Sequence, residues 1–397
     1  MAQIAIIQRK CDGCGLCVKQ CPFGAMDLAG GGRPQLNVAC KVCGICLKTC
    51  PCQAIIQLEP KAHSVDKSQW QGILVLAEQS AGKLHPVSLE LVGKARQLAA
   101  CGGYEVSAVV LGKDIAACAQ ELLHYGVGSV FAYEDSALSF FRADVFAECA
   151  EDCIRALRPS VVLVGATSLG RSLAPRLSTR LRTGLTADCT GLDLRKNSDL
   201  VQVRPAFGGN IMAQIITPRT RPQFATVRYK VMDAPKRNDA PEGEIIKRDI
   251  PKAVFESPVR HVSTMPARKS ASISDAEILA VAGRGLQRET DMEIIMRLAD
   301  MLRGDYAVTR PLAEKGWAPQ ARQIGLSGRT VRPKLIITCG VSGAIQFTAC
   351  MSGSEHIIAI DRNPEAPIFK VAHIGIVGDL YQILPALMDS IAKEAVQ

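Results

Sequence analysis

Two copies of one cysteine string stand near the start of the chain, CDGCGLCVKQCP over residues 11–22 and CKVCGICLKTCP over residues 40–51. Each reads CxxCxxCxxxCP, and the copies are 29 residues apart, Cys11 to Cys40. Three thiolates spaced two residues apart can wrap a tight loop around three irons of a cubane. The fourth, followed by proline, turns away to serve a second cluster. This assigns Cys11, Cys14, Cys17 and Cys50 to one [4Fe–4S] cluster and Cys40, Cys43, Cys46 and Cys21 to another. Structural zinc uses two CxxC knuckles separated by a longer loop, a pattern neither copy has. With cysteine at all eight positions no iron keeps an open place for substrate, so the clusters are expected to relay single electrons.

A segment of about 60 residues buries too little surface to be stable alone, and clusters act as its staples. Each half, IAIIQRKCDGCGLCVKQCPFGAMDL and PQLNVACKVCGICLKTCPCQAIIQL, reads as a short strand, a cysteine loop and a short returning strand. The segment resembles the bacterial two-cluster ferredoxin over residues 1–62. Cys52 lies outside the pattern and is read as an unligated small residue beside Pro51.

At 397 residues, with 48% hydrophobic and 21% charged residues, the chain should hold two or three ordinary globular domains. The N-terminus runs straight into the cluster motif, without a secretory signal, and no apolar run is long enough to span a membrane. A cytoplasmic location is therefore expected, in keeping with 16 cysteines of which Cys101, Cys118, Cys149 and Cys189 read as buried small residues.

After a polar hinge at 61–69 the pattern changes. GILVLAE (72–78), YEVSAVVLG (104–112), SVFAY (129–133) and SVVLVGAT (160–167) are short β-branched runs, and amphipathic stretches at 86–100, 113–124, 138–157 and 170–182 lie between and after them. Strands alternating with helices predict a parallel α/β domain over residues 70–231, completed by LVQVRPAFGGN (200–210) and RPQFATVRY (221–229). Residues 232–275, rich in Pro and charge, read as an extended linker or an arm wrapping a partner. A third unit, residues 276–397, opens with AEILAVAGRGL (276–286). There Gly283–Gly285 follows a predicted strand. In IITCGVSGAIQFTAC (336–350) a buried strand ends at Gly340, and Ser342 and Gly343 are expected to open a helix whose free amides can receive a pyrophosphate.

AVAGRGL, AVTRPLAEKGW (307–317), QIGLSGRTVRPKLII (323–337), GVSGAIQ and DRNPEAPIFKVAHIGIVGDL (361–380) together resemble the C-terminal domain of electron-transfer flavoprotein alpha subunits. RPAFGGNIMAQI (204–215) is similar to that family's first domain. The resemblance runs from about residue 70 to the end, with the ferredoxin-like module fused in front. It implies two Rossmann-like parallel α/β domains and one FAD. Arg284, Thr309 and Arg310 would lie on the flavin dinucleotide, with Arg310 near the isoalloxazine, where a cation favours the reduced anion. Ile324, Gly325, Leu326 and Ser327 would line the ring, the Ser327 hydroxyl reaching its redox-active edge. Ser342, Gly343, Ala344, Ile345, Gln346 and Phe347 would hold phosphate and ribitol, Asp361 the adenosine, and Asp379 with Leu380 the far side. Three positions depart from the family's usual residues: Leu326 replaces Gln, Phe347 replaces His and Asp361 replaces Asn. Without that His, a donor beside the flavin pyrimidine is lost, which leaves more of the stabilisation of a flavin anion to Arg310.

The formal charge of +9 suggests a nucleic-acid partner. Two oxidised clusters and a flavin dinucleotide lower it to about +3, and the basic residues do not gather around aromatics, so neither nucleic acid nor membrane is expected. The histidines, His63, His85, His124, His261, His356 and His373, are scattered, and no nucleophile–base pair stands out. The expected role is an electron carrier without an autonomous catalytic site. The fusion resembles alpha subunits of flavin-bifurcating complexes. In these a beta subunit oxidises NADH, and electrons divide between ferredoxin and an acyl-CoA-dehydrogenase-like partner such as caffeoyl-CoA reductase, or a 2-hydroxyacid (lactate) dehydrogenase. A relay without bifurcation is the alternative.

Overall fold

The computed structural model describes residues 3–28, 32–58, 65–206, 211–265 and 272–394. The chain divides into two compact units, Met1–Val65 and Asp66–Gln397.

In the first unit the strand Gln3–Ile6 pairs antiparallel with Ile55–Leu58, and Met26–Leu28 pairs antiparallel with Pro34–Leu36. Each cysteine string carries a short helix, Leu16–Lys19 or Ile45–Thr49. Gly15 (φ +69°) and Gly44 (φ +79°) start these helices in the left-handed region that glycine enters without steric cost. Cys17, Met26, Cys46 and Ile55 form the buried core, flanked by Ile4, Ile6, Val18, Leu36 and Leu47. Thiol side chains thus make up much of the little interior this unit has.

The second unit contains two parallel sheets. The order in the first is Leu185–Cys189, Gln223–Val227, Val161–Gly165, Ile73–Ala77, Val106–Gly112, Ser129–Glu134 and Glu244–Lys247, every pair parallel. Its central strands are buried along their whole length because helices cover both faces. Pro86–Gly102 and Ala116–Leu123 contribute Leu91, Leu98 and Leu122 to one core, and Ala143–Leu157 and Ser168–Arg180 contribute Phe146, Ile154 and Leu173 to the other.

Two stretches differ from the sequence-based expectation. Leu200–Ala206 does not join the parallel sheet; it is the middle strand of an antiparallel meander with Gly191–Leu194 and Ile211–Ile215. The turn before it is closed by Arg195 N–H donating to the Asp199 carbonyl at 3.0 Å, and so short a connection permits only a hairpin. The 232–275 stretch, expected as a linker or arm, supplies the edge strand Glu244–Lys247. Glu244 N–H donates to Gly128 O at 3.0 Å and Arg248 N–H to Ala132 O at 2.9 Å. The same stretch buries Val254 in the second core.

The order in the second sheet is Gln323–Ile324, Asp305–Thr309, Ile278–Ala282, Leu335–Cys339, His356–Asp361 and Ile374–Val377, again all parallel. The chain enters at Ile278–Ala282, builds outward on one side, then returns to build the other from Leu335–Cys339. That reversal leaves a crevice at the carboxyl ends of these two strands, where ligands of open α/β sheets bind.

Candidate cofactor sites

A cleft of about 830 Å³ opens at the reversal point. Its floor is backbone against backbone: Gly283 N–H donates to Cys339 O and Gly285 N–H to Gly340 O, both at 2.9 Å. A Cβ on Gly283 would stand 2.2 Å from Gly340 O, and one on Gly285 2.6 Å from Gly340 Cα. The missing side chains let the two strand ends touch and leave the space above them free.

Of the residues singled out from sequence, Arg284, Thr309, Arg310, Ile324, Gly325, Leu326, Ser327, Ser342, Ala344, Gln346, Phe347, Asp361, Asp379 and Leu380 line this cleft. Gly343 and Ile345 do not. Gly343 (φ +85°) lies against the backbone of Ile368, and Ile345 faces solvent. The helix expected after Gly343 is a single turn, Ile345–Thr348, which starts after an extended Ala344 (φ −54°, ψ 139°). The cleft is therefore lined here by a loop, Gly340, Val341, Ser342 and Ala344, and not by the end of a long helix. Sequence reasoning missed Gln287, Pro311, Gln323, Arg362, Asn363 and Tyr381, which also line it.

Hydrogen bonds fix many of these groups. Arg310 Nε donates to Glu314 Oε1 at 2.7 Å, and both side chains are more than half exposed. Gln323 Nε2 donates to Ser327 Oγ at 2.8 Å. Leu326 N–H donates to Gln346 O at 3.0 Å, joining two loops of the wall. Arg228, at the end of Gln223–Val227 in the first sheet, donates through Nη2 to Leu326 O at 2.7 Å and to Asp188 Oδ2 at 3.1 Å. Asp361 Oδ1 accepts from Asn363 N–H at 2.9 Å, and Asp379 Oδ1 from Tyr381 N–H at 2.9 Å. The Tyr381 hydroxyl accepts from Gln287 N–H at 2.9 Å and donates to Asp291. That hydroxyl holds the Asp291 carboxyl below the usual range, while burial, then Asp291, pushes the Tyr381 phenol up. Phe347 is 5% exposed and packs with Val341 and Ile368, so it is a core side chain with one edge in the cleft.

Two smaller cavities lie in the N-terminal unit. Cys11, Cys14, Cys17, Cys50 and Cys52 line one with Asp12, Leu16, Pro34 and Ile55. Cys21, Cys40, Cys43 and Cys46 line the other with Ile4, Phe23, Met26 and Leu36. The fourth cysteine of each string thus faces the cavity of the other string. Ala25 N–H donates to Cys21 Sγ and Ala54 N–H to Cys50 Sγ, both at 3.3 Å. Val42 holds φ +55° where the first string has Gly13 at +78°, so both loops follow one backbone path. Thiols around an apolar cavity, with amides aimed at sulfur, suit a cubane cluster. Among the described residues no three His, Cys, Asp or Glu side chains converge on a single-ion site.

Residues 73–253 match the electron transfer flavoprotein domain, residues 272–352 the electron transfer flavoprotein FAD-binding domain and residues 4–27 the 4Fe-4S binding domain. The chain is 42% identical to the electron transfer flavoprotein subunit alpha of Thermoanaerobacterium thermosaccharolyticum, over 82% of this chain and 99% of that protein. The chain belongs to the electron transfer flavoprotein alpha-subunit family. It is also 48% identical to the lactate dehydrogenase (NAD(+),ferredoxin) subunit LctC of Acetobacterium woodii, over 94% of this chain and 88% of the relative. That alignment of 371 residues is too long for residues 63–397 and must enter the cysteine-rich segment. A FixB protein from Azorhizobium caulinodans is 39% identical over 81% of this chain and 88% of its own length. As an electron transfer flavoprotein alpha subunit the chain joins a 4Fe-4S binding segment to an FAD-binding domain whose cleft is walled by glycine backbone. Among the described residues no helix is long and apolar enough to cross a membrane.

Proposed function

We propose that the chain is the electron-carrying alpha subunit of a flavin-based bifurcating complex, with one FAD in the cleft of the C-terminal domain and two [4Fe–4S] clusters in the N-terminal unit. The similarity to LctC, which enters the cysteine-rich segment, carries this reading. Bound here, FAD exchanges electrons singly or in pairs and the clusters pass them one at a time. Cys11, Cys14, Cys17 and Cys50 hold one cluster, and Cys21, Cys40, Cys43 and Cys46 the other. Arg284 and the loop amides after Gly340 face the pyrophosphate. Arg310, its charge shared with Glu314, would face the part of the flavin that becomes anionic, and Ser327, which accepts from Gln323, would hydrogen-bond that edge. Asp361 takes the adenosine, and Asp379 with Leu380 closes the far wall.

Two further subunits complete the complex. A beta subunit with its own flavin oxidises NADH. The high-potential partner is a 2-hydroxyacid dehydrogenase, which the lactate-type relative favours, or an acyl-CoA-dehydrogenase-like subunit such as caffeoyl-CoA reductase. The low-potential product is reduced ferredoxin. Purified alone with FAD and clusters, the chain is expected to show negligible NADH-dependent ferredoxin reduction. Adding the beta subunit and dehydrogenase should restore it only while the high-potential acceptor is present. Rapid NADH oxidation by the isolated chain would refute the carrier role, and ferredoxin reduction without the acceptor would refute bifurcation and leave a simple relay.

A further inference from the structure

The internal repeat supplies its own control. Cys50, Pro51 and Cys52 of the second string stand where the first has Cys21, Pro22 and Phe23. Phe23 lines the cavity of Cys21, Cys40, Cys43 and Cys46, and Cys52 lines the cavity of Cys11, Cys14, Cys17 and Cys50. One cavity therefore has four thiols and an aromatic wall, the other five thiols. Cys52 Sγ lies 3.5 Å from Cys50 Sγ and 3.9 Å from Asp12 Oδ1. It stands beside the fourth ligand of its cavity and not out in solvent. The backbone around the two fourth cysteines is otherwise alike, with Ala25 and Ala54 amides equally far from sulfur. Gln53 replaces Gly24 on the same positive-φ path, at +48° against +56°, and the cavities differ at Lys41 against Asp12, so the residue two positions on is the change that adds a sulfur to the cavity.

We propose that Cys52 is a reserve ligand of the cluster held by Cys11, Cys14 and Cys17, able to take the place of Cys50; this rests on the two-cluster reading above. In the exchange the Cys50 sulfur–iron bond breaks and that thiolate takes up a proton. The Cys52 thiol gives up a proton and forms the new sulfur–iron bond. Neither the oxidation state of iron nor the number of protons on the pair changes. The proton passes directly between the two sulfurs, which lie 3.5 Å apart, while the Asp12 carboxylate accepts from Cys14 N–H at 3.1 Å and lies 3.9 Å from the Cys52 sulfur. While Cys50 is the ligand, the Cys52 thiol can donate to its sulfur, a contact of the kind that tunes cluster potentials. Phe23 offers the other cluster neither service.

The test uses the full chain purified anaerobically, reading iron and acid-labile sulfide per FAD and the electron paramagnetic resonance of the dithionite-reduced protein. The unmodified chain should carry about eight irons. Cys50→Ala should keep about that number with an altered spectrum. Cys21→Ala, with Phe23 as neighbour, should fall to about half or less, and so should the double variant Cys50→Ala with Cys52→Ala. A Cys50→Ala protein that loses as much iron as Cys21→Ala overturns the inference, as does a double variant that keeps its iron. An unmodified chain with only about four irons overturns the two-cluster reading instead, and the inference falls with it.

Discussion

Glu90 gives the chain a pH dependence whose sign and size follow from its surroundings. It sits on the helix Pro86–Gly102, 7% exposed, with both carboxylate oxygens accepting from Lys230 N–H at 3.2 and 3.0 Å. Burial pushes the carboxyl from 4.5 up to about 7, against the opposing pull of the Lys230 amide and ammonium. The native state therefore binds this proton more tightly than the unfolded chain does. The stability it contributes is fully present below the unfolded value and is lost as pH rises through the folded one. A shift from 4.5 to about 7 is worth about 3 kcal/mol across the whole range, of which about 2 kcal/mol falls between pH 5.5 and 8. Glu90→Gln copies the protonated shape and cannot ionise. In urea titrations followed by near-ultraviolet circular dichroism, the variant should gain about 2 kcal/mol on the parent between pH 5.5 and pH 8. Taking the difference at each pH removes titrations common to both proteins. A difference constant with pH would show that the Glu90 carboxyl is not displaced upward, and a variant losing ground as pH rises would reverse the sign of the argument.

At the flavin cleft, Arg310→Ala should lower the reduction potential of bound FAD, by an amount near the low end of the ~1–3 kcal/mol span of charged hydrogen bonds, because Arg310 is exposed and paired with Glu314. Glu314→Gln should raise it by releasing that charge, and spectroelectrochemistry giving equal shifts for both variants would place Arg310 away from the flavin. Gly343→Ala forces a Cβ to 2.2 Å from Ile368 N at φ +85° and should cost about 1–3 kcal/mol of stability together with weaker FAD retention. Gly353→Ala, whose Cβ would meet only the Arg332 side chain at 3.5 Å, should leave thermal midpoint and FAD content unchanged.

The sequence displayed most where one physical constraint acts locally. Cysteine spacing followed by proline pointed to an exchange of the fourth thiol between the strings, and the cavities bring Cys50 to the first string and Cys21 to the second, with Cys52 as a fifth thiol in one of them. Apolar runs such as GILVLAE and SVVLVGAT show buried parallel strands because both of their faces must be covered. Glu244–Lys247 escaped notice since an edge strand held by backbone hydrogen bonds needs neither alternation nor a long apolar run. Leu200–Ala206 read as a strand completing the domain, but its antiparallel partners were not foreseen, since pairing leaves no mark on a single segment. In the cleft, Ser342 was visible in a glycine-rich turn, whereas Arg284 was singled out by the family resemblance and not by its own surroundings in the sequence. Asn363 and Tyr381 were not, although a signal existed: at a reversal point the loop after every strand of the sheet borders the crevice. Cys52 was read as an unligated residue beside Pro51, and linear spacing could not show that its side chain lines a cavity with four other thiols.

The edge strand Glu244–Lys247 also bears on solubility. Without it, Ser129–Glu134 would end a six-stranded sheet with a row of unpaired amides and carbonyls beside Val130 and Phe131, a surface on which strands of other molecules can add. Capped as it is, the sheet presents four residues with a glutamate at one end and a lysine at the other, a short charged border that discourages intermolecular strand addition. The stretch that follows the first α/β domain's last central strand thus also guards against self-association.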